Sequence, residues 1–102
     1  MEITDYPAYQ LLLASPLVVE RYWLARAMAD SRSETTYHQL LQLIQDVHPN
    51  VTCQALYALG QRGRREAIEP IKMQMRASDH WYTQWYGYRA LRKLGWRQTR
   101  SN

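Results

Sequence analysis

One stretch of this chain is written nearly twice. Val51-Thr-Cys-Gln-Ala55-Leu-Tyr-Ala58-Leu59-Gly60-Gln-Arg-Gly63 returns thirty-two positions later as Thr83-Gln-Trp-Tyr-Gly87-Tyr-Arg-Ala90-Leu91-Arg-Lys-Leu94-Gly95. Self-similarity at a fixed period of about 20 to 50 residues marks a stacked array, whose units bury their apolar faces only against their neighbours. A fainter copy lies thirty-one positions upstream, where Glu20-Arg-Tyr-Trp-Leu24-Ala-Arg-Ala27-Met28-Ala29 sets Ala27 and Met28 where the middle copy has Ala58 and Leu59. Small residues at Ala55, Ala58, Gly87 and Ala90 let one helix approach the backbone of the next, and Leu59, Leu91 and Leu94 fill the space alongside. Arrays of this kind bind more often than they catalyse.

The local punctuation divides the chain into helices. Residues 1 to 14 read as a short leading helix or cap, with Tyr6, Tyr9, Leu12 and Leu13 at helical spacing. Ser15-Pro16 predicts a helix start, with serine as N-cap and proline at the first helical position, and the helix runs to about Ala29. After the turn Asp30-Ser-Arg-Ser33, Ser33 is placed to cap a helix carrying Leu40, Leu41 and Ile44 on one stripe. Asp46-Val-His-Pro49 opens the next helix, which ends over Gly60-Gln-Arg-Gly63, glycine supplying the left-handed residue. Its partner runs from about Arg65 to Arg76 with Ala67, Ile68, Ile71 and Met75 facing inward, and Pro70 falls near its first turn, where it is tolerated. Ser78-Asp79 is expected to cap the last helix, His80 to about Leu94, which Gly95 stops. No segment alternates with period two over a useful length, so no strand is expected.

These residues resemble a known family. Asp46-x-x-Pro49-x-Val51-x-x-x-Ala55-x-x-Ala58-Leu59-Gly60, followed by Glu66-Ala67-Ile68-x-Pro70-Ile71, is similar to the HEAT-like repeat of the short type found in phycobilisome lyase-like proteins. The resemblance covers most of residues 15 to 96 and is most specific in the middle copy. The first copy departs with Glu20 where the pattern has valine, and the third with Thr83. The arginine that usually follows is kept only as Arg21, with Thr52 and Gln84 in its place later. The resemblance implies an all-α fold, a short right-handed α-solenoid of about two and a half HEAT-like helical hairpins. The expected organisation of the single domain is a cap at 1–14, one repeat at 15–45, a second at 46–77, a half repeat at 78–96 and a flexible tail at 97–102.

Bulk properties narrow the setting. No apolar run approaches the ~18 residues needed to span a bilayer, and Ser15-Pro16 splits the longest. One cysteine rules out an internal disulfide and fits a reducing compartment, so the expected location is cytoplasmic. The net charge of +4 is unevenly spread: residues 1–61 hold six acids and three bases, whereas residues 62–102 hold ten bases and three acids. The carboxyl-terminal half is therefore an electropositive surface.

The last helix concentrates the chemistry. Six of the twelve aromatic residues lie between His80 and Trp96, and they cannot all face one way. If Thr83, Gly87, Ala90, Leu91 and Leu94 face inward, then Tyr82, Tyr86, Arg89 and Lys93 make a separate stripe at i, i+4, i+7 and i+11. Trp81, Trp85 and Tyr88 form a further row. One reading makes these rings a terminal cap over the end of the stack. Another makes them a protein interface, since aromatics and arginine bury large area at small entropic cost. A third pairs cations and rings with nucleic acid, through phosphate contacts and base stacking.

The second reading carries furthest. It makes the chain a non-enzymatic interaction or scaffold module, with Trp81, Tyr82, Trp85, Tyr86, Arg89 and Lys93 as partner-binding residues. The partner is a protein, acidic or part of a larger complex, with self-association as a further route and nucleic acid second. A bilin lyase or chromophore-handling role follows from the resemblance alone. His38, His48, Cys53 and His80 lack the tight spacing of metal ligands, Cys53 reads as a small buried side chain, and no catalytic group or cofactor is indicated. Arg62, Arg64 and Arg65 cluster after Gly60 and read either as a solvated turn or as a dock for an acidic partner.

Overall fold

A computed structural model describes residues 3–97, and the fold is all-α and solenoid-like. A 3₁₀ turn at Ile3–Asp5 leads into α1 (Tyr9–Leu13), followed by α2 (Val18–Ala27), which a 3₁₀ turn at Met28–Asp30 prolongs. Then come α3 (Glu34–Leu43), α4 (Pro49–Arg62), a 3₁₀ turn at Arg65–Ala67, α5 (Ile68–Arg76) and α6 (Trp81–Lys93). The tail expected beyond Trp96 lies, from residue 98 on, outside the described residues.

The helices form two layers. In front, α4 packs between α2 and α6; behind, α1 backs α2, α3 backs α4 and α5 backs α6. The spatial mate of the last helix is therefore the helix before it, so each front helix closes a hairpin with its predecessor. Leu24, Met28, Leu40, Ile44, Leu56, Leu59, Ile71 and Leu91 fill the space between the layers and are buried. All five residues expected on the inner face of α6, Thr83, Gly87, Ala90, Leu91 and Leu94, are buried as well. Ala90 lies against Gly60, where an added Cβ would stand 3.2 Å from the Ala90 Cα, so the small residues do allow close approach. At the amino-terminal end Tyr9 is buried and Leu12 and Leu13 are partly so, whereas Tyr6 is half exposed and contributes no core.

All three front helices begin by one device, which differs from the capping expected. Ser15 and Ser78 are not N-caps: the cap positions are Leu17 and His80. The Ser15 hydroxyl accepts the Leu17 N–H at 3.0 Å, the Asp46 carboxylate that of His48 at 2.9 Å, and the Ser78 hydroxyl that of His80 at 3.2 Å. A side-chain oxygen that takes the N–H two residues on makes a tight turn and delays the helix by two positions. Pro16 consequently sits ahead of α2, while Pro49 occupies the first turn of α4 as expected.

The same three turn residues each offer a backbone carbonyl to the side chain six positions on. Arg21 donates to the Ser15 carbonyl at 2.8 Å, Thr52 to that of Asp46 at 3.1 Å and Gln84 to that of Ser78 at 2.9 Å. Thr52 and Gln84 thus perform locally what the arginine performs in the first copy. Arg21 does one thing more. Its guanidinium forks onto Asp46, Nε to Oδ2 at 2.8 Å and Nη2 to Oδ1 at 3.0 Å, and ties the first copy to the turn that opens the second.

Ser33 caps α3 as expected, accepting the Thr36 N–H at 3.1 Å. Gly63 ends α4 at φ 77°, its N–H reaching the Leu59 carbonyl. Gly95, at φ 91°, closes α6 in a Schellman arrangement, with Gly95 N–H on the Arg92 carbonyl and Trp96 N–H on that of Leu91. The arginine cluster at the end of α4 is more than a solvated turn. Arg62 donates to the Ser31 and Ser33 carbonyls, Arg64 pairs with Glu34 and Glu66 while lying 3.9 Å from the centre of the Tyr37 ring, and Arg65 reaches the Leu94 carbonyl. The arginines join neighbouring elements. No helix among the described residues is long and apolar enough to cross a membrane.

Candidate docking groove

With α4 as floor and α2 and α6 as walls, the front layer carries a groove made of two shallow depressions set end to end. One, about 410 Å³, lies toward the carboxyl ends of the three helices and is lined by Arg26, Asp30, Tyr57, Gln61, Arg89 and Lys93 among others. The other, about 560 Å³, lies toward their amino ends and is lined by Val18, Val19, Tyr22, Trp23, Asn50 and Tyr82 among others. Gln54 and Tyr86 border both and join them.

The groove is a register of the repeat. In copy order its lining positions are Val19, Asn50 and Tyr82; Trp23, Gln54 and Tyr86; Arg26, Tyr57 and Arg89; Asp30, Gln61 and Lys93. Each set is separated by the same thirty-one and thirty-two residues as the core positions. Spacings of i, i+4, i+7 and i+11 place one stripe from each helix on the same side of the layer. The stripe read on α6, Tyr82, Tyr86, Arg89 and Lys93, is therefore one third of the surface. Its counterparts on α2 and α4, notably Trp23, Arg26 and Tyr57, were within reach of the same alignment once the outward positions are aligned as well as the inward ones.

The groove's cations are held by rings rather than by acids. Arg26 lies 5.4 Å from the centre of the Trp23 ring, Arg89 5.8 Å from that of Trp85, and the Lys93 ammonium 5.0 Å from that of Tyr57. Lys93 also donates to Gln61 at 2.7 Å. No carboxylate among the described residues forms an ion pair with any of the three. Cations over aromatic faces keep their charge available to a ligand while their stems cover apolar surface.

Trp81 and Trp85 do not line the groove. They are 72% and 55% exposed on the outer side of α6, with Tyr88 beside them turned edge-on to Trp96 at 6.0 Å. The row is thus more exposed than Trp96, which is partly buried against the core. The six proposed residues thus divide four to the groove and two to the end face.

The remaining candidates are dispersed. His38 is exposed beside Glu34, the His48 ring takes the Asn50 N–H at the start of α4, and the His80 ring stacks on Tyr82. Among the described residues no three of His, Cys, Asp and Glu gather within reach of one metal ion. Cys53 is buried where α4 meets α6, its sulfur 3.8 Å from the Tyr82 carbonyl, and burial pushes its thiol up to about 11.

Among curated proteins and among solved structures, none matches the chain significantly. The family model for HEAT repeats matches residues 7–97, a span that takes in every helix from α1 to α6. Repeats of this kind generally mediate protein–protein interaction. With its periodic core, its paired layers and a family match over nearly its whole length, the chain belongs to the HEAT repeat family.

Proposed function

We propose that the chain is a non-enzymatic protein-binding module that holds its partner in the groove over α2, α4 and α6, with α6 supplying Tyr82, Tyr86, Arg89 and Lys93. The observation that carries this reading is the coincidence of the α6 stripe with equivalent stripes on two other helices. Three repeats then present one continuous surface of rings and unpaired cations. Anchoring residues of that composition are those that dominate protein interfaces. Trp81 and Trp85 extend the contact outward over the end of α6. Within the family, the Asp46-x-x-Pro49-x-Val51 motif favours a likeness to the short phycobilisome lyase-like type.

The test is quantitative capture from the cells that make the protein, comparing wild type with Tyr86→Ala, Arg89→Glu and Trp85→Ala by crosslinking and mass spectrometry. The two groove variants are expected to lose the same captured protein, and Trp85→Ala to weaken it less. Circular dichroism must show unchanged helicity. A captured set identical in wild type and both folded groove variants would refute the reading.

A further inference from the structure

The two halves of the groove are chemically unlike, and this restricts what fits. The half toward the carboxyl ends of the helices holds Arg26, Arg89 and Lys93, with Asp30 as the one carboxylate lining it. The half toward the amino ends has no acidic or basic lining residue other than His48 and is walled by Val19, Tyr22, Trp23 and Tyr82. Arg21, by contrast, is paired with Asp46, and Arg64 with Glu34 and Glu66. The three groove cations share one cavity and form no ion pair among the described residues. Three positive charges against the single carboxylate of Asp30 leave this half net positive, a field that an incoming anion relieves.

Resting on the protein-binding reading above, we infer that the groove's ligand is an acidic segment of a protein chain, with clustered carboxylates at one end and apolar or aromatic side chains at the other. The carboxylates lie among Arg26, Arg89 and Lys93, where arginine can engage them in bidentate fashion. The apolar end lies over Val19, Trp23 and Tyr82. The floor helix α4 has 14 residues, which at 1.5 Å per residue gives a track of about 20 Å. An extended segment of roughly six residues spans that distance. A nucleic acid strand fits less well, because it carries a charge on every nucleotide and would have to lay phosphates across the uncharged half.

The experiment is a display selection of random peptides roughly twelve residues long, about twice the track, against the full chain. Recovered peptides are then synthesised and titrated by fluorescence anisotropy. The expected winners carry an Asp/Glu cluster beside an apolar cluster, and their affinity falls at least about tenfold in the Arg89→Glu/Lys93→Glu variant and at raised salt. That same variant, checked for helicity, is expected to select Lys/Arg-rich peptides in their place. Winners that depend on Tyr86 but show no acidic bias, or that ignore the charge reversal, would overturn the acidic segment and leave the protein-binding reading standing. If no peptide's affinity responds to Tyr86→Ala, the groove reading falls and the inference with it. A single-stranded oligonucleotide that displaces the winning peptides with a steep salt dependence would overturn the inference in favour of nucleic acid.

Discussion

Replacing Asp46 with alanine breaks a largely buried ion pair that ties the first copy of the repeat to the second. The change removes two hydrogen bonds from the Arg21 guanidinium, at 2.8 and 3.0 Å, and leaves that group with the Ser15 carbonyl. It also strips the acceptor from the His48 N–H, so the turn that opens α4 loses its side-chain bond. The two side chains are 14% and 9% exposed, which sets them well apart from surface pairs worth between zero and about 1 kcal/mol. Breaking a buried pair from one side costs about 3 to 5 kcal/mol, because the surviving charge is stranded. The edge position lets water reach Arg21, so the lower figure, about 3 kcal/mol, is expected. For a domain near one hundred residues that corresponds to a fall of about 15 °C in Tm. Urea unfolding followed at the helical dichroism band measures the loss. Arg21→Met and the double variant complete a cycle whose coupling is expected near 2 kcal/mol, the double change costing less than the two single changes together. A loss under about 1 kcal/mol with coupling near zero would show that the pair is solvated and contributes little to joining the copies.

The same carboxylate sets a pH dependence. Burial by itself raises the Asp46 pKa, but the hydrogen bond from Arg21 and that from the His48 N–H outweigh it, and the group sits below its ordinary value near 3.9. A depressed folded value means stability that is fully present above about pH 4 and lost as the pH falls through the folded value, and Asp46→Asn should remove that part of the acid slope in urea titrations. Gly60→Ala should destabilise by about 1 kcal/mol despite better helix propensity, because its Cβ meets the Ala90 backbone at 3.2 Å, whereas the Gly87→Ala Cβ, 2.6 Å from the Met75 Cγ and Sδ, is accommodated by rotating that partly exposed side chain and should cost less. Equal losses, or the reverse order, would show that the α4–α6 contact is not limiting. Cys53 should react with a thiol reagent at pH 8 roughly a hundredfold slower in the native chain than in urea, from its raised pKa alone; alkylation at the unfolded rate would mean that α6 opens readily away from α4.

Much of this arrangement was legible in the residues. The inner face of α6 could be read because burial between two helices admits few side chains, so Gly87, Ala90 and Leu91 repeat Ala55, Ala58 and Leu59 closely. The left-handed glycines 63 and 95 were legible for the same reason, since that backbone conformation admits little else. The helix starts at α2 and α6 were placed too early because a serine ahead of a helix has two uses. Capping and a turn two residues upstream present the same letter, and only the demand of Arg21 and Gln84 for the carbonyls of Ser15 and Ser78 decides between them. The arginines after Gly60 looked free because their partners, Ser31, Glu34 and Leu94, lie about thirty residues away along the chain. The groove escaped for a related reason. Exposed positions vary between copies, so Trp23, Gln54 and Tyr86 share a place without sharing a chemistry.

That divergence has its sharpest effect on the outer side of α6. Position for position, Cys53, Leu56 and Gly60 of α4, which receive α6, become Trp85, Tyr88 and Arg92. Gly60 lets two backbones meet almost directly, while an arginine and two large rings hold any visitor off by the thickness of a side chain. A helix laid there could not repeat the α4 to α6 spacing. Whatever rests on this face meets rings and a guanidinium where α6 meets a backbone.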